Sequence, residues 1–87
     1  MAVYIDDFNA KYRRMIMCHM IADTTQELLD MCTKIGVQHR WIQYPGRANE
    51  HFDICLTKKA LAVNYGAKEI GMRDYARMVN ERKPNVE

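Results

Sequence analysis

The chain has 87 residues, 48% of them hydrophobic and 28% charged, with a formal net charge of +2. That balance predicts one folded domain over residues 1–87, with 82–87 as a free tail. It excludes a disordered chain, and the charge is too small to imply nucleic-acid binding by itself. No apolar run is long enough to span a bilayer and no leader pattern opens the chain. With three cysteines, odd in number and lacking Cys-x-x-Cys spacing, the expectation is a cytoplasmic protein with reduced, mostly buried thiols.

Ala2 to Ile5 reads as a first strand, with Val3 and Ile5 on one face and Tyr4 on the other. Asp6 and Asp7 stand where it ends, and Phe8 to Arg14 reads as a loop carrying Lys11, Arg13 and Arg14. Met15 to Ala22 is apolar apart from His19; a short extended piece is the preferred reading.

The next element is marked at both ends. Thr24-Thr25-Gln26-Glu27 matches a capping box, in which a hydroxyl and a carboxylate satisfy the first free N–H groups of a helix. Leu28, Met31, Cys32 and Ile35 follow at helical spacing as a core-facing stripe, and Asp30 can pair with Lys34 one turn on. Gly36 suits the left-handed position after the helix, with Val37 as its apolar contact.

Arg40 to Tyr44 reads as a second strand, ended by Pro45-Gly46 and a polar loop over 47–50. Phe52, Ile54 and Leu56 alternate with His51, Asp53 and Cys55, the period of a half-buried strand. Thr57 is expected to cap a helix whose Leu61, Ala62 and Tyr65 share a face, with Gly66 at its end. A brief strand over 67–70 and a helix with a Met72, Tyr75, Ala76 and Val79 stripe complete the chain, Pro84 preventing further continuation. Helix-ending glycines followed by strand candidates suggest βα units. The expected fold is therefore a compact α/β domain with a small, mostly parallel three- to four-stranded sheet and about three helices.

Val3-Tyr4-Ile5-Asp6-Asp7, His19-Met20-Ile21-Ala22-Asp23 and Arg40-Trp41-Ile42-Gln43, with His51-Phe52-Asp53 and Ala60-Leu61-Ala62-Val63 leading to Gly66-Ala67, carry a family resemblance. From Val3 to about Ile70 the chain resembles the domain of unknown function 4031 family, small proteins of tailed phages and bacteria. Phe52 stands where members commonly have tyrosine. The resemblance implies a phage or bacterial cytoplasmic setting (the host cytoplasm if phage-encoded) and an accessory role in host takeover or defence evasion. It directs attention to Asp6, His19, Asp23, His51 and Asp53.

Chemistry can be read from the same residues. His51 and Asp53, two apart on a strand, project to one side. With Asp6 at a neighbouring strand end and His19 from the apolar segment they could converge on one divalent metal, zinc, manganese or iron, whose retained water could attack a phosphoester. The competing account is an ordinary hydrogen-bonded pair at a strand edge. His19 reads as a satisfied core or cleft histidine unless Asp6 or Asp53 lies beside it, in which case it joins the catalytic candidates. Asp23 is better explained by the helix it precedes. A zinc site from Cys18, His19, His51 and Cys55 is disfavoured because adjacent Cys18 and His19 diverge.

Thr57, Lys58 and Lys59, placed at a helix start, form a candidate phosphate cradle, with solvated surface lysines as the alternative. Arg40 and its neighbours interleave with Trp41 and Tyr44, a composition that fits a single-stranded nucleic-acid surface. A buried Trp41 among ordinary exposed arginines is the preferred account. The seven methionines suit an irregular core or an adaptable, homodimer-forming surface. Two functions remain. One is recognition of a phosphate-bearing ligand, a nucleotide or nucleic-acid backbone, with metal-dependent phosphoesterase activity; the other is a non-enzymatic phage accessory protein that binds and modulates a host protein.

Overall fold

A computed structural model describes residues 2–82. Its backbone is organised around one long strand. β3 (Met15–Ala22) is flanked on one edge by β1 (Val3–Ile5) and β2 (Ala10–Tyr12), and on the other by β4 (Phe52–Cys55); β5 (Lys68–Glu69) extends the sheet beyond β1. The helices are α1 (Thr25–Ile35), α2 (Leu56–Asn64) and α3 (Met72–Glu81). The α/β class holds.

The sheet is mixed, and the expectation of a mostly parallel one is corrected. β3 runs antiparallel to β1, β2 and β4, and only β1 with β5 is parallel. The reason lies in the connections. β1 and β2 reach β3 by a hairpin, which enforces opposite directions. After α1 the chain crosses back through residues 38–50 before entering β4, reversing its direction as well.

β1 and β2 lie in line along the same edge of β3. Ile5 faces Met20 and Ala10 faces Met17, so residues 6–9 oppose only Cys18 and His19. This is a bulge with two extra residues, the kind of break that re-aims side chains near functional sites. The expected loop over Phe8 to Arg14 is thus a bulge followed by a strand. Lys11 and Tyr12 are exposed on that strand, so its side chains carry no core signal and only backbone pairing holds it.

Strand alternation separates two faces. Val3, Ile5, Cys18, Met20, Phe52 and Ile54 point into the main core. There they meet the α1 stripe of Leu28, Met31, Cys32 and Ile35, together with Ala62 of α2. The α1 signals read as expected. The Thr24 hydroxyl accepts from the Glu27 N–H and donates to its carboxylate, Gly36 adopts φ 79°, and the Val37 N–H returns to the Cys32 carbonyl. On the outer surface Asp30 is bonded by Gln26, while Lys34 sits over the Tyr65 ring.

Four other local expectations are corrected. Arg40 to Tyr44 is no strand: His39–Trp41 forms a 3₁₀ turn, and only Gln43 bridges to His51. Ile42 packs on the core instead, which turns Trp41 outward to 60% exposure. α2 begins at Leu56 with Cys55 at its cap position, so Thr57 lies inside the first turn and does not cap it. Leu61 and Tyr65 are exposed; Ala62 and the half-buried Val63 pack inward.

α3 lies on the opposite side of the sheet from α1 and α2, where His19 and the buried Ile21 point. None of its residues is fully buried. Its N-terminus is tied by the Met72 N–H to the Asp7 carboxylate at 3.0 Å, its C-terminus by the Arg82 guanidinium to the carbonyls of Ala22 and Ala48. Arg82 therefore does not belong to a free tail; residues 83–87, Pro84 included, lie outside the described residues. Among the described residues no helix is long and apolar enough to cross a membrane.

The thiols are free, and burial pushes Cys32 up to about 12. An unfolded thiol ionises near 8.5, so the folded state holds a proton that the unfolded state loses between those values. Stability owed to neutral Cys32 is complete below about pH 8.5 and declines as pH rises above it. Urea titrations should show the midpoint falling from pH 8.5 to 10, with a shallower fall in Cys32→Val; an unchanged slope would contradict the burial.

Candidate functional site

The site grows out of the bulge. Opposite Cys18 and His19 the ladder is interrupted, and the Asp6 side chain replaces the missing strand. Asp6 Oδ1 accepts the His19 backbone N–H at 2.8 Å and the Phe8 N–H at 3.2 Å, while the Asp6 N–H donates to the His19 carbonyl at 3.0 Å. Asp6 is fully buried, and its second oxygen accepts from His19 Nδ1 at 2.6 Å. A carboxylate oxygen here is an acceptor, so the proton of the His19 ring is drawn to Nδ1 and the Nε2 lone pair is left pointing away.

His51 is prepared in the same way by different means. Its backbone bridges Gln43, and its Nδ1 lies 2.7 Å from the Asn49 carbonyl, which can only accept. Its Nε2 therefore also presents a lone pair. Asp53, beside His19 in the β3–β4 register, places Oδ1 at 3.2 Å from His51 Nε2 and 4.0 Å from His19 Nε2. Its other oxygen is fixed by the Gln43 amide at 2.6 Å.

Ligand atoms of His19, His51 and Asp53 thus converge within 4.8 Å of one another. Three electron-pair donors facing one point repel unless a proton or a cation lies between them. Each is oriented from behind by a separate partner, Asp6, the Asn49 carbonyl or Gln43, the arrangement by which metal-binding imidazoles and carboxylates are held. Two imidazoles and one carboxylate suit zinc, manganese or iron better than magnesium or calcium.

Aromatic rings close the site. Phe8 and Tyr75 each stack on His19 with centroids 4.7 Å away, which sandwiches the imidazole; His51 meets its edge at 5.0 Å. Burial, with Asp6 and Asp53 adding to it, pushes the Tyr75 phenol up to about 12, so it remains a hydrogen-bond donor at neutral pH. Tyr44, held at φ 52°, lies over His51 at 6.1 Å.

Among the residues singled out from sequence, Asp6, His19, His51 and Asp53 meet, but their roles rearrange. His19, with His51 and Asp53, faces the shared point, while Asp6, expected as a ligand, stands behind His19. Thr57, Lys58 and Lys59 do not gather around a common pocket. Lys59 donates to the Asp6 carbonyl at 3.0 Å and reaches Glu69, whereas Lys58 Nζ lies over the end of α1, 3.2 Å from where a Gly36 β-carbon would sit. The positive charge of Lys58 suits the negative end of that helix. Arg40 covers the Trp41 ring at 5.0 Å. Asp23 accepts from the Ala2 N–H and the Tyr4 hydroxyl, away from the triad. Cys18 points into the core and bonds Asn9, which removes the disfavoured zinc set. Gln43, Phe8 and Tyr75 are participants that no spacing announced, since each arrives from a segment distant in sequence.

Over residues 3–82 the chain matches the family described as Protein of unknown function (DUF4031), and it belongs to that family. No curated protein and no solved structure matches it significantly.

Replacing Asp6 by asparagine tests the arrangement. The amide oxygen must stay toward the two backbone N–H groups, so its NH₂ faces His19 Nδ1 and turns that nitrogen into an acceptor. The His19 proton should move to Nε2, visible in ¹⁵N imidazole spectra, with a stability loss of about 1–3 kcal/mol in urea melts. An unchanged tautomer would contradict the assignment.

Proposed function

We propose that this member of the family is a metal-dependent phosphoesterase that recognises a phosphate-bearing ligand, a nucleotide or nucleic-acid backbone. The observation that carries the reading is the convergence of His19, His51 and Asp53 on one point. Zinc bonds nitrogen at about 2.0–2.1 Å, which puts neighbouring tetrahedral ligand atoms roughly 3.3 Å apart. The His51–Asp53 distance of 3.2 Å fits this as it stands. The 4.0 Å between His19 and Asp53 has to close by about 0.7 Å.

Three protein ligands leave room for water and for a phosphate oxygen, as catalytic rather than structural sites require. His19, His51 and Asp53 would hold the ion, which would lower the pKa of a bound water and polarise the phosphoryl group. Hydrolysis there would join a water oxygen to phosphorus and break the ester P–O bond, the leaving alkoxide taking its proton from solvent. Asp53, the most exposed of the three ligands, opens the site to substrate. A bound ion would supply the phosphate affinity that the separated lysines do not.

Calorimetric titration of zinc or manganese should give one saturable site in the wild type and none of comparable affinity in His51→Ala. Gln43→Ala, which frees Asp53, should weaken binding about 10–100-fold. Metal-loaded protein should hydrolyse bis(p-nitrophenyl) phosphate, and a chelator should stop it. Absence of saturable binding overturns the proposal and leaves the host-binding alternative ahead.

A further inference from the structure

Five of the eight aromatic residues (two Phe, one Trp, five Tyr) are substantially exposed: Phe8, Tyr12, Trp41, Tyr44 and Tyr65. In so small a chain that is costly apolar surface, and two of the five rings flank the candidate site. Phe8, 47% exposed, and Tyr44, 52% exposed, terminate a row of rings Phe8–His19–His51–Tyr44, with centroid steps of 4.7, 5.0 and 6.1 Å. The two middle rings are the metal ligands. One open aromatic face therefore stands on each side of the candidate metal.

Strand register extends the row. Tyr12 pairs with Met15, and residues at alternate positions share a face, so Tyr12 lies on the same side of the sheet as His19. The Arg13 guanidinium sits 5.6 Å from the Tyr12 ring. The exposed Trp41, in the 3₁₀ turn that packs against α1, carries the Arg40 guanidinium at 5.0 Å. The Phe8 flank thus pairs an exposed ring with a cation, the combination that holds bases by stacking and phosphates by charge. Tyr44 keeps φ 52°, a backbone conformation uncommon for a bulky residue and one found where function holds it.

Resting on the phosphoesterase reading, we infer that the substrate is a single-stranded nucleic acid. It lies across the sheet with one phosphodiester at the metal and bases stacked on Phe8 and Tyr44. From the edge strand through β3 and β4 to Gln43 is three strand spacings, roughly 14 Å. A lone mononucleotide has one base for two platforms, whereas a strand offers a base on each side of the reacting phosphate. Duplex bases are already stacked on one another and cannot reach either ring.

The test measures anisotropy of labelled strands of about eight nucleotides with phosphorothioate linkages, as DNA and as RNA, on zinc-loaded protein. The base-bearing strands should bind about tenfold or more tightly than an abasic strand of equal charge, and more tightly than the duplex. A Phe8→Ala, Tyr44→Ala variant should lose that advantage, while Phe8→Trp retains it and Tyr65→Ala, on the far side by Lys34, behaves as wild type. Circular dichroism and zinc content are read for every variant. Retained zinc with equal binding of base-bearing, abasic and duplex forms overturns the single-strand inference and leaves the metal site standing. No zinc with an intact preference for bases overturns the phosphoesterase reading instead.

Discussion

The Asp6 carboxylate is the interaction on which this structure turns. It is fully buried, yet it accepts two backbone N–H groups and one imidazole N–H. Hydrogen bonds to a charged acceptor contribute about 1.5–3 kcal/mol each, and a buried N–H without a partner costs a comparable amount. The carboxylate therefore makes the bulge possible, since the strand pairing lost over residues 6–9 is replaced by one side chain. The same contact sets the proton position of His19. Fold and chemistry depend here on one group.

From that point the sheet divides its labour. One face is closed by α1 and α2 over a dry core; the other carries His19, Asp53 and His51 at alternate positions. α3 crosses that second face with no fully buried residue, fastened at its ends by Asp7 and Arg82 and touching the site through Tyr75. A cover held by a few polar ties leaves polar groups beneath it accessible, as Asp53 is. A helix packed as tightly as α1 would have sealed them.

The aromatic residues follow the same logic. Phe52 is the ring that fills the core, while Phe8 and Tyr75 are used to clamp an imidazole and Tyr44 to cover its neighbour. Rings stacked on His19 keep it from rotating and leave its Nε2 at the edge, which matters more for a ligand than for a core residue. Glu50 contributes from the loop side by bonding Thr25 and the Gly46 N–H, which steadies the turn that carries Tyr44 and Asn49.

What the chain determines locally could be read from it directly. The α1 cap, its apolar stripe and its glycine end are interactions within a few residues, and they recur in the structure unchanged. His51 and Asp53 sharing a strand face follows from the two-residue repeat alone. Strand direction, the outward turn of Trp41 and the separation of Lys58 from Lys59 depend on which distant segments pair, and no local preference encodes that. Tertiary structure likewise decided that His19 faces the point it shares with His51 and Asp53 and that Asp6 stands behind it. A buried carboxylate goes where backbone N–H groups lack partners, and that place exists only once β1, β2 and β3 have met.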